Sequence, residues 1–374
     1  VIEGAQLAEE LSFNGAFRYS DYSTVGAVES YAYGVEWAPV AGLRFRAQQQ
    51  RAVRAPNIGE LFSPQTNGFP GAIDPCSSTS TAAATGNAAI CAAQGVPGAI
   101  YNTEFQANSQ LEGLFGGNPN LDAETSDTLT VGFVAQPSFA PGMTVTVDYW
   151  NIEIEDAIGT IPIQTVLDGC YDGSNPGYCA LVNRTGSGLI DFVELNNQNV
   201  AFLGGEGVDL QVDYTMDVGE GTLRANLIGG YKIADEFQAL PGDPVDDCVG
   251  FFGGNAGVCG EPSPEWKHTA RLDYLQGPLL VSGRWRYIGE SIVDDFQTSA
   301  TPGLFADSID AYNYFDITGQ YEISDNVQIS GGIQNVADEN PPELGDCCSE
   351  QANTWPATYE TLGRTFFVGG KLTF

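Results

Sequence analysis

The sequence predicts an all-β protein, an antiparallel transmembrane β-barrel of which this chain supplies about twelve C-terminal strands of a probable ~22. Three observations support this prediction. Segments that alternate apolar and polar residues with period two recur along the chain. After the first hairpin, their connections are alternately long and short. Aromatic residues stand near the strand ends, where the girdles of a membrane barrel lie.

The last segment shows the alternation most clearly. Phe366, Val368 and Leu372 fall on one face of a strand, whereas Thr365 and Lys371 fall on the other. The predicted strands, in chain order, are Leu11–Tyr22, Glu29–Trp37, Leu43–Arg51, Asp127–Ala135, Met143–Glu155, Gly207–Tyr214, Thr222–Lys232, Trp266–Tyr274, Leu279–Ile288, Tyr312–Tyr321, Val327–Val336 and Thr361–Phe374.

The connections distinguish a membrane barrel from a soluble sandwich. The segment from Arg54 to Glu124 shows no sustained period, and loops of such length are uncommon in compact soluble domains. Outer-membrane barrels have short periplasmic turns and longer outer loops, so the alternation favours a barrel. The same rule places the long loops outside the cell and the C-terminus, Phe374, in the periplasm.

Composition narrows the function classes. The 374 residues carry 14 Lys and Arg against 48 Asp and Glu, giving a net charge of −34, which disfavours binding to nucleic acid. The 20 Phe, 16 Tyr and 5 Trp argue against disorder despite this acidity. The chain begins at Val1 in mid-pattern, which predicts that further sequence precedes it.

Three close pairs of cysteines predict disulfide-clipped loops in an oxidising compartment, with free thiols as the alternative. Each pair lies in a segment rich in Gly, Pro, Asn or Asp, and none has the spacing of a metal motif. For the adjacent Cys347 and Cys348, the spacing of the cysteines assigns no disulfide partner. The pairs are Cys76 with Cys91, Cys170 with Cys179, and Cys248 with Cys259.

Several segments resemble the C-terminal half of the barrel of TonB-dependent outer-membrane receptors. They read RAVRAPNIGELF from Arg51, GNPNLDAETSDTLTVGF from Gly117, DYWNIEIEDAI from Asp148 and LGRTFFVGGKLTF at the end. The resemblance implies that residues 1–374 are the C-terminal part of a barrel domain whose N-terminal plug and first strands lie outside this chain. It also implies energy-coupled uptake, with a TonB-type coupling protein and outer-membrane lipid as partners.

Candidate binding residues come from the loops and from the polar strand face. Aromatic rings in or near the outer loops offer stacking surfaces for an oligosaccharide, siderophore or cobalamin, or else they pack the loops together. Arginines on the polar, lumen-facing side attract anionic solutes or pair with plug carboxylates. The loop candidates are Trp150, Tyr171, Tyr178, Phe251, Phe252 and Trp355; the lumen-facing arginines are Arg44, Arg46, Arg224, Arg284 and Arg286.

The sequence predicts no enzyme and no cofactor. His268 is the one histidine, and a histidine of the girdle or lumen is the favoured interpretation over a catalytic one. Asp243, Asp246 and Asp247 offer carboxylates to a loop calcium ion, although a solvated acidic loop is the favoured interpretation. The acidic composition favours a neutral ligand such as an oligosaccharide over strongly anionic chelates. The alternatives to energised uptake are a passive porin-like channel and a secreted β-rich adhesin.

Overall fold

A computed structural model describes residues 2–5, 8–79, 82–106, 108, 110–199, 202–238, 244–253, 259–294, 307–345 and 352–373. Twelve long strands form one antiparallel sheet in this part of the chain. They are β1 Ala8–Tyr22, β2 Gly26–Val40, β3 Leu43–Arg54, β4 Glu124–Ala135, β5 Met143–Glu155, β6 Phe202–Val218, β7 Gly221–Gln238, β8 Trp266–Gln276, β9 Leu279–Ile288, β10 Tyr312–Ser324, β11 Val327–Gln334 and β12 Thr365–Leu372.

The sheet confirms the predicted strands and their antiparallel order. Each strand pairs with the next along the chain, and a short edge strand, Ile2–Ala5, pairs with β1. The predicted last strand begins four residues too early, because Gly363 turns the chain at φ +65° immediately before β12. Strands β6 and β7 run further out than predicted, because a register shift between Glu206 and Gly207 interrupts the period-two pattern.

One face of the sheet is apolar from edge to edge, because the register brings apolar residues of neighbouring strands opposite one another. Trp37 lies opposite Phe45, which in turn lies opposite Phe133. The aromatic residues that the sequence suggests for the girdles fall on this face. They include Tyr19, Trp37, Tyr149, Tyr214, Tyr231, Tyr274, Trp285, Tyr287 and Tyr321.

Two long loops fold together into a single unit, here called the first lobe, formed by the described residues of 55–123 and 156–199. A parallel pairing of Ile190–Glu194 with Gly113–Phe115 joins the two loops in one small sheet. The other strands of this lobe are Thr66–Gly68, Ile158–Gly159, Val182–Arg184 and Gln198–Asn199; its helices are α1 Ile58–Phe62, α2 Ala88–Ala93, α3 Ile163–Asp172 and the 3₁₀ helix Pro176–Ala180.

The core of the first lobe is built around α3 and two disulfides. Val166, Leu167 and Tyr171 of this helix are fully buried, and the disulfides Cys76–Cys91 and Cys170–Cys179 lie in the same apolar cluster. The sequence contains the signal for α3, since Ile163, Val166, Leu167, Cys170 and Tyr171 recur at helical spacing and Gly173 ends the helix at φ +85°.

The remaining loops form the second lobe, made of the described residues of 244–265, 289–311 and 335–364. Its core contains the fully buried Phe252, Leu344 and Tyr359. The disulfide Cys248–Cys259 closes one of its loops, whereas Cys347 and Cys348 lie outside the described residues. Its short strands are Asp246–Asp247, which pairs with β7, Phe251–Phe252, Ser291–Val293 and Ser308–Ile309. No helix among the described residues is long and apolar enough to cross a membrane.

Candidate ligand-binding site

A polar cavity of about 900 Å³ lies between the polar face of the sheet and the second lobe. The strands contribute Arg46, Asp148 and Lys267, and the lobe contributes Glu261 and Thr358. Cavities of this size lie within the range of small-molecule sites. Because the lining includes positively and negatively charged side chains, the cavity suits a polar ligand that both donates and accepts hydrogen bonds.

An ion pair that bridges three strands forms one wall of the cavity. Arg46 on β3 donates from Nε to Oδ1 of Asp148 on β5 at 2.8 Å. Gly132 on β4 lies between them in register. A Cβ at this position would stand 2.0 Å from Asp148 Oδ1, so a glycine is required for the carboxylate to reach across.

A second charged group ties the sheet to the overhanging lobe. Lys232 Nζ donates to Asp235 Oδ2 at 2.7 Å and to Ser263 Oγ of the second lobe at 2.9 Å. The Ser263 hydroxyl in turn donates to Asp235 at 2.7 Å. Lys267 lines the same cavity but makes no ion pair within the described residues. The cavity therefore has one cation that the surrounding side chains leave available.

Beside the cavity, a buried carboxylate organises the polar face of the sheet. Asp316 on β10 accepts from Arg284 Nε at 2.7 Å and from the backbone N–H of Asn335 at 2.8 Å. Arg286 lies 5.1 Å above the Tyr314 ring and donates to Glu360 of the second lobe at 2.9 Å. These contacts hold the polar face and the lobe in a fixed relation.

All five arginines singled out in the sequence lie on the polar face of the sheet. Four already have carboxylate partners in the protein, and Arg44, for example, contacts both Glu10 and Glu36 at 2.7 Å. Arg224 makes no ion pair with the described residues. Most of these arginines are therefore paired with carboxylates of the sheet or the second lobe. Carboxylates of a plug, which the sequence suggested as partners, are not needed to pair them. The five are Arg44, Arg46, Arg224, Arg284 and Arg286.

The candidate aromatic residues separate into three groups. Tyr171, Tyr178 and Phe252 are buried in the lobe cores, which favours the loop-packing interpretation over ligand stacking. Trp150 is not in a loop; it lies on β5 on the polar face, where its ring covers Gly207 and Gly205.

Phe251 and Trp355 remain half-buried in the second lobe. The structure therefore brings none of the six aromatic candidates into the lining of the cavity.

An ion pair inside the first lobe was not visible in the sequence. Arg184 donates to both carboxylate oxygens of Asp74, at 2.6 and 2.7 Å, and to the hydroxyl oxygen of Tyr171 at 2.7 Å. Both charged side chains are at most 3% exposed. Burial by itself lowers the pKa of Arg184, but the hydrogen bonds and charge of Asp74 outweigh it and raise the pKa above its usual value.

The acidic loop considered for calcium is only partly described. Among the described residues, no group of three or more acidic, His or Cys side chains converges. Asp247 Oδ1 instead accepts the backbone N–H groups of Asp235 and Val249 at 3.0 and 3.1 Å. Asp243 lies outside the described residues.

The histidine lies on the apolar face, as a girdle residue does. Its Nδ1 accepts from Trp266 Nε1 at 2.8 Å, and its ring stacks on Tyr287 with 5.2 Å between centroids. His268 borders the cavity, but its hydrogen-bond partner among the described residues is Trp266, and its ring contacts Trp285 and Tyr287 rather than an acid or a nucleophile.

Two residues of the cavity were not singled out from the sequence. Lys232 ends one predicted strand, and Lys267 lies in the next. Their convergence depends on the register between β7 and β8, which opposes Lys267 to Gly230. The sequence could have shown that the two lysines lie close together only if the register between the two strands had been known.

Comparison with known proteins identifies a family. The sequence model for "TonB dependent receptor-like, beta-barrel" matches residues 5–336. No curated protein sequence matches the chain significantly.

The similar solved structures are barrels of the same kind. A mutant ferric enterobactin receptor, PfeA, from Pseudomonas aeruginosa aligns with a TM-score of 0.61 and 16% identity over 97% of this chain and 43% of that one. The siderophore receptor PirA from Acinetobacter baumannii aligns with a TM-score of 0.58 and 13% identity over 99% and 44%. The FrpB iron transporter from Neisseria meningitidis aligns with a TM-score of 0.54 and 14% identity over 97% of this chain and 43% of that one. The chain thus spans less than half the length of these structures.

Proposed function

Because the chain belongs to the TonB-dependent receptors, we propose that it supplies barrel wall and ligand-binding loops for energy-coupled uptake of a scarce nutrient. Barrels of this family reside in the bacterial outer membrane. The observation that carries the proposal is a polar cavity beneath folded loops, on a sheet whose other face is apolar throughout. Such a sheet can face lipid on one side and a hydrated passage on the other.

The long loops are extracellular in this proposal, and the C-terminus is periplasmic. Both lobes follow odd-numbered strands, whereas the turns after even-numbered strands are short, as at Ala41–Gly42 and Gly277–Pro278. Short periplasmic turns are the rule in outer-membrane barrels. The cavity then opens toward the outside, where a nutrient would first bind.

A neutral, hydroxyl-rich nutrient such as an oligosaccharide fits the cavity better than a strongly anionic chelate. Asp148 pairs with Arg46, Asp235 pairs with Lys232, and Glu360 pairs with Arg286. With these cations neutralised, Lys267 offers a single positive charge, and Glu261 of the same lining carries a negative charge. The siderophore receptors named above resemble this chain in fold only. Ferric chelates and cobalamin are therefore tested as alternative ligands.

The partners proposed for the whole protein follow from the family. They are outer-membrane lipid around the apolar face, a plug domain within the barrel and a TonB-type protein that delivers energy to that plug. The polar face supports the second of these partners. It carries hydrogen-bonding side chains such as Gln48, Gln50 and Thr130, which suit contact with a second folded surface.

The test is uptake by cells that express the full-length protein in a strain lacking the native copy. Labelled oligosaccharide, cobalamin and ferric siderophore are supplied separately, each with and without an uncoupler of the proton-motive force. We expect one class, the oligosaccharide, to enter only in energised cells. Replacing Lys267, the cavity's available cation, by Gln should leave oligosaccharide uptake within about two-fold, because a neutral ligand gains little from a single charge.

Two outcomes would contradict the proposal. Uptake that continues after uncoupling would support a passive channel. Identical migration of boiled and unboiled samples in a detergent gel would exclude a folded barrel and support a secreted adhesin. Uptake of a ferric chelate alone would leave energy coupling intact and overturn only the neutral ligand.

A further inference from the structure

A second, smaller pocket lies on the polar face, away from the cavity under the second lobe. It encloses about 180 Å³ and is formed by side chains from five neighbouring strands, β8 to β12. Its polar lining consists of Arg271, Ser282, Arg284, Asp316, Thr318 and Gln334. None of these residues lines the larger cavity, so the two sites are distinct.

Two arginines meet at this pocket in direct opposition. Arg271 on β8 and Arg284 on β9 are cross-strand partners in register. Like charges placed directly opposite one another in a sheet destabilise it, unless an anion lies close to both. Each has one carboxylate: Arg271 donates to Asp273 at 2.8 Å, and Arg284 donates to Asp316 at 2.7 Å.

In both contacts the arginine uses Nε, which leaves its terminal nitrogens without a partner among the described residues. A guanidinium presents these nitrogens in a fixed fork that suits an oxyanion. The pocket therefore contains two forks whose outer donors are available to a ligand.

The other polar groups of the pocket are also suited to donate. Ser282 is almost fully buried, and its oxygen accepts from Arg271 Nε at 3.0 Å, so its hydroxyl hydrogen is available to a ligand. Thr318 and the Gln334 amide make no side-chain hydrogen bond within the described residues.

The single carboxylate of the lining is already engaged. Asp316 accepts from Arg284, from the backbone N–H of Asn335 at 2.8 Å and from Arg286 at 3.5 Å. Its negative charge is thus shared between two arginines, and little of it faces a ligand. A ligand that only accepts hydrogen bonds complements this donor-rich pocket.

We propose that this pocket binds a small oxyanion from solution, of the size and chemistry of inorganic phosphate or a short carboxylate. Arg271 and Arg284 donate hydrogen bonds to the anion from adjacent strands. Ser282, Thr318 and Gln334 donate the remaining hydrogen bonds. The site does not depend on which nutrient the larger cavity takes.

The test uses the full-length protein in detergent and inorganic phosphate as the probe. Line broadening of the phosphate phosphorus NMR signal, at constant ionic strength set with chloride, measures binding. We expect a dissociation constant of about 1 mM. Arg271→Gln should raise it about ten-fold, because a charge-assisted hydrogen-bonding group is lost. Arg18→Gln is the matched control, since Arg18 lies on the same face and contacts only Ser20 among the described residues.

Heat-modifiable migration verifies that each variant retains a folded barrel. If Arg271→Gln fails to fold, Gln334→Met removes a neutral donor without disturbing an ion pair, and a three-fold rise in the dissociation constant is expected. Absence of broadening in the wild-type protein would overturn the proposal, as would equal binding by Arg271→Gln and Arg18→Gln.

Discussion

The sheet and the first lobe stabilise charge in opposite ways. In the sheet, Arg44 and Arg46 pair with carboxylates of neighbouring strands while more than 40% of each arginine side chain stays exposed. In the lobe, Arg184 and Asp74 are sealed from solvent and joined by two hydrogen bonds. Among the described residues, the sheet thus has several half-exposed ion pairs, whereas the pair between Arg184 and Asp74 of the lobe is buried.

This difference follows from what each region can bury. A sheet with lipid on one side keeps its polar face wet, so its ion pairs lose little hydration. The lobe has its own apolar core, and a charge within it is tolerated only when fully paired. Removal of one partner should therefore have unequal consequences in the two regions.

The largest expected effect comes from Arg184→Met. It leaves Asp74 charged and buried, at a cost of about 3–5 kcal/mol to the first lobe. Hydrogen exchange of residues 55–123 and 156–199 measures this loss. Arg44→Met is the matched control and should cost at most about 1 kcal/mol, because Glu10 and Glu36 remain hydrated. Equal effects of the two changes would abolish the contrast between sheet and lobe.

The next effect sharpens the contrast by removing a disulfide from the first lobe. The double change Cys76→Ser and Cys91→Ser opens a loop with a sequence separation of 15 residues. The chain-entropy relation gives a loss of about 3 kcal/mol. Proteolysis should then cleave the first lobe, while the sheet keeps its heat-modifiable migration in gels. Loss of that migration would show that the sheet depends on the lobe.

A smaller effect is expected from Gly132→Ala, which tests the bridge across three strands. The added Cβ would stand 2.0 Å from Asp148 Oδ1 and 2.5 Å from the Val147 carbonyl oxygen, so the Arg46 pair must separate. We expect a loss of about 1–3 kcal/mol in the urea unfolding of the refolded protein in detergent. Gly283→Ala, where nothing lies within 4 Å of the added atom, is the control and should change stability little.

The smallest effect at neutral pH concerns Tyr359 in the second lobe. Its hydroxyl is buried and has no hydrogen-bond partner within the described residues, so Tyr359→Phe should be neutral or stabilising by up to about 1 kcal/mol.

Burial also raises the pKa of Tyr359, so the folded protein holds this proton more tightly than the unfolded chain does. Stability from this group is complete below about pH 10 and falls as the pH rises beyond it. The Phe variant should lack that part of the alkaline loss in unfolding measured from pH 9 to 11. Identical alkaline profiles for the two proteins would contradict the assigned burial.

The sheet was largely predictable from the sequence, because period two alone assigns residues to faces. Each of the twelve strands was found, and Phe366, Val368 and Leu372 indeed share the exposed apolar face. The method failed where the period is interrupted, as at the register shift beside Gly207.

The candidate site was less predictable, because it depends on contacts between distant segments. Polar positions such as Arg46 and Arg286 were assigned to the right face, yet their partners Asp148 and Glu360 follow from register and loop folding. The sequence does not show whether an aromatic residue of a loop faces inward, so Tyr171 and Phe252 were candidates for either ligand stacking or loop packing; both are core residues. The ligand roles of the remaining candidates stay predictions.

The parallel pairing inside the first lobe has a consequence for biogenesis. Residues 74 and 184 are separated by 110 positions, and strands β4 and β5 lie between them. The lobe therefore cannot close until β4 and β5 have formed and the loop after β5 meets the loop before β4. Closing so long a loop is slow relative to local hairpin formation. The ion pair between Asp74 and Arg184 can thus form only late in folding, after the β4–β5 hairpin has brought the two loops together.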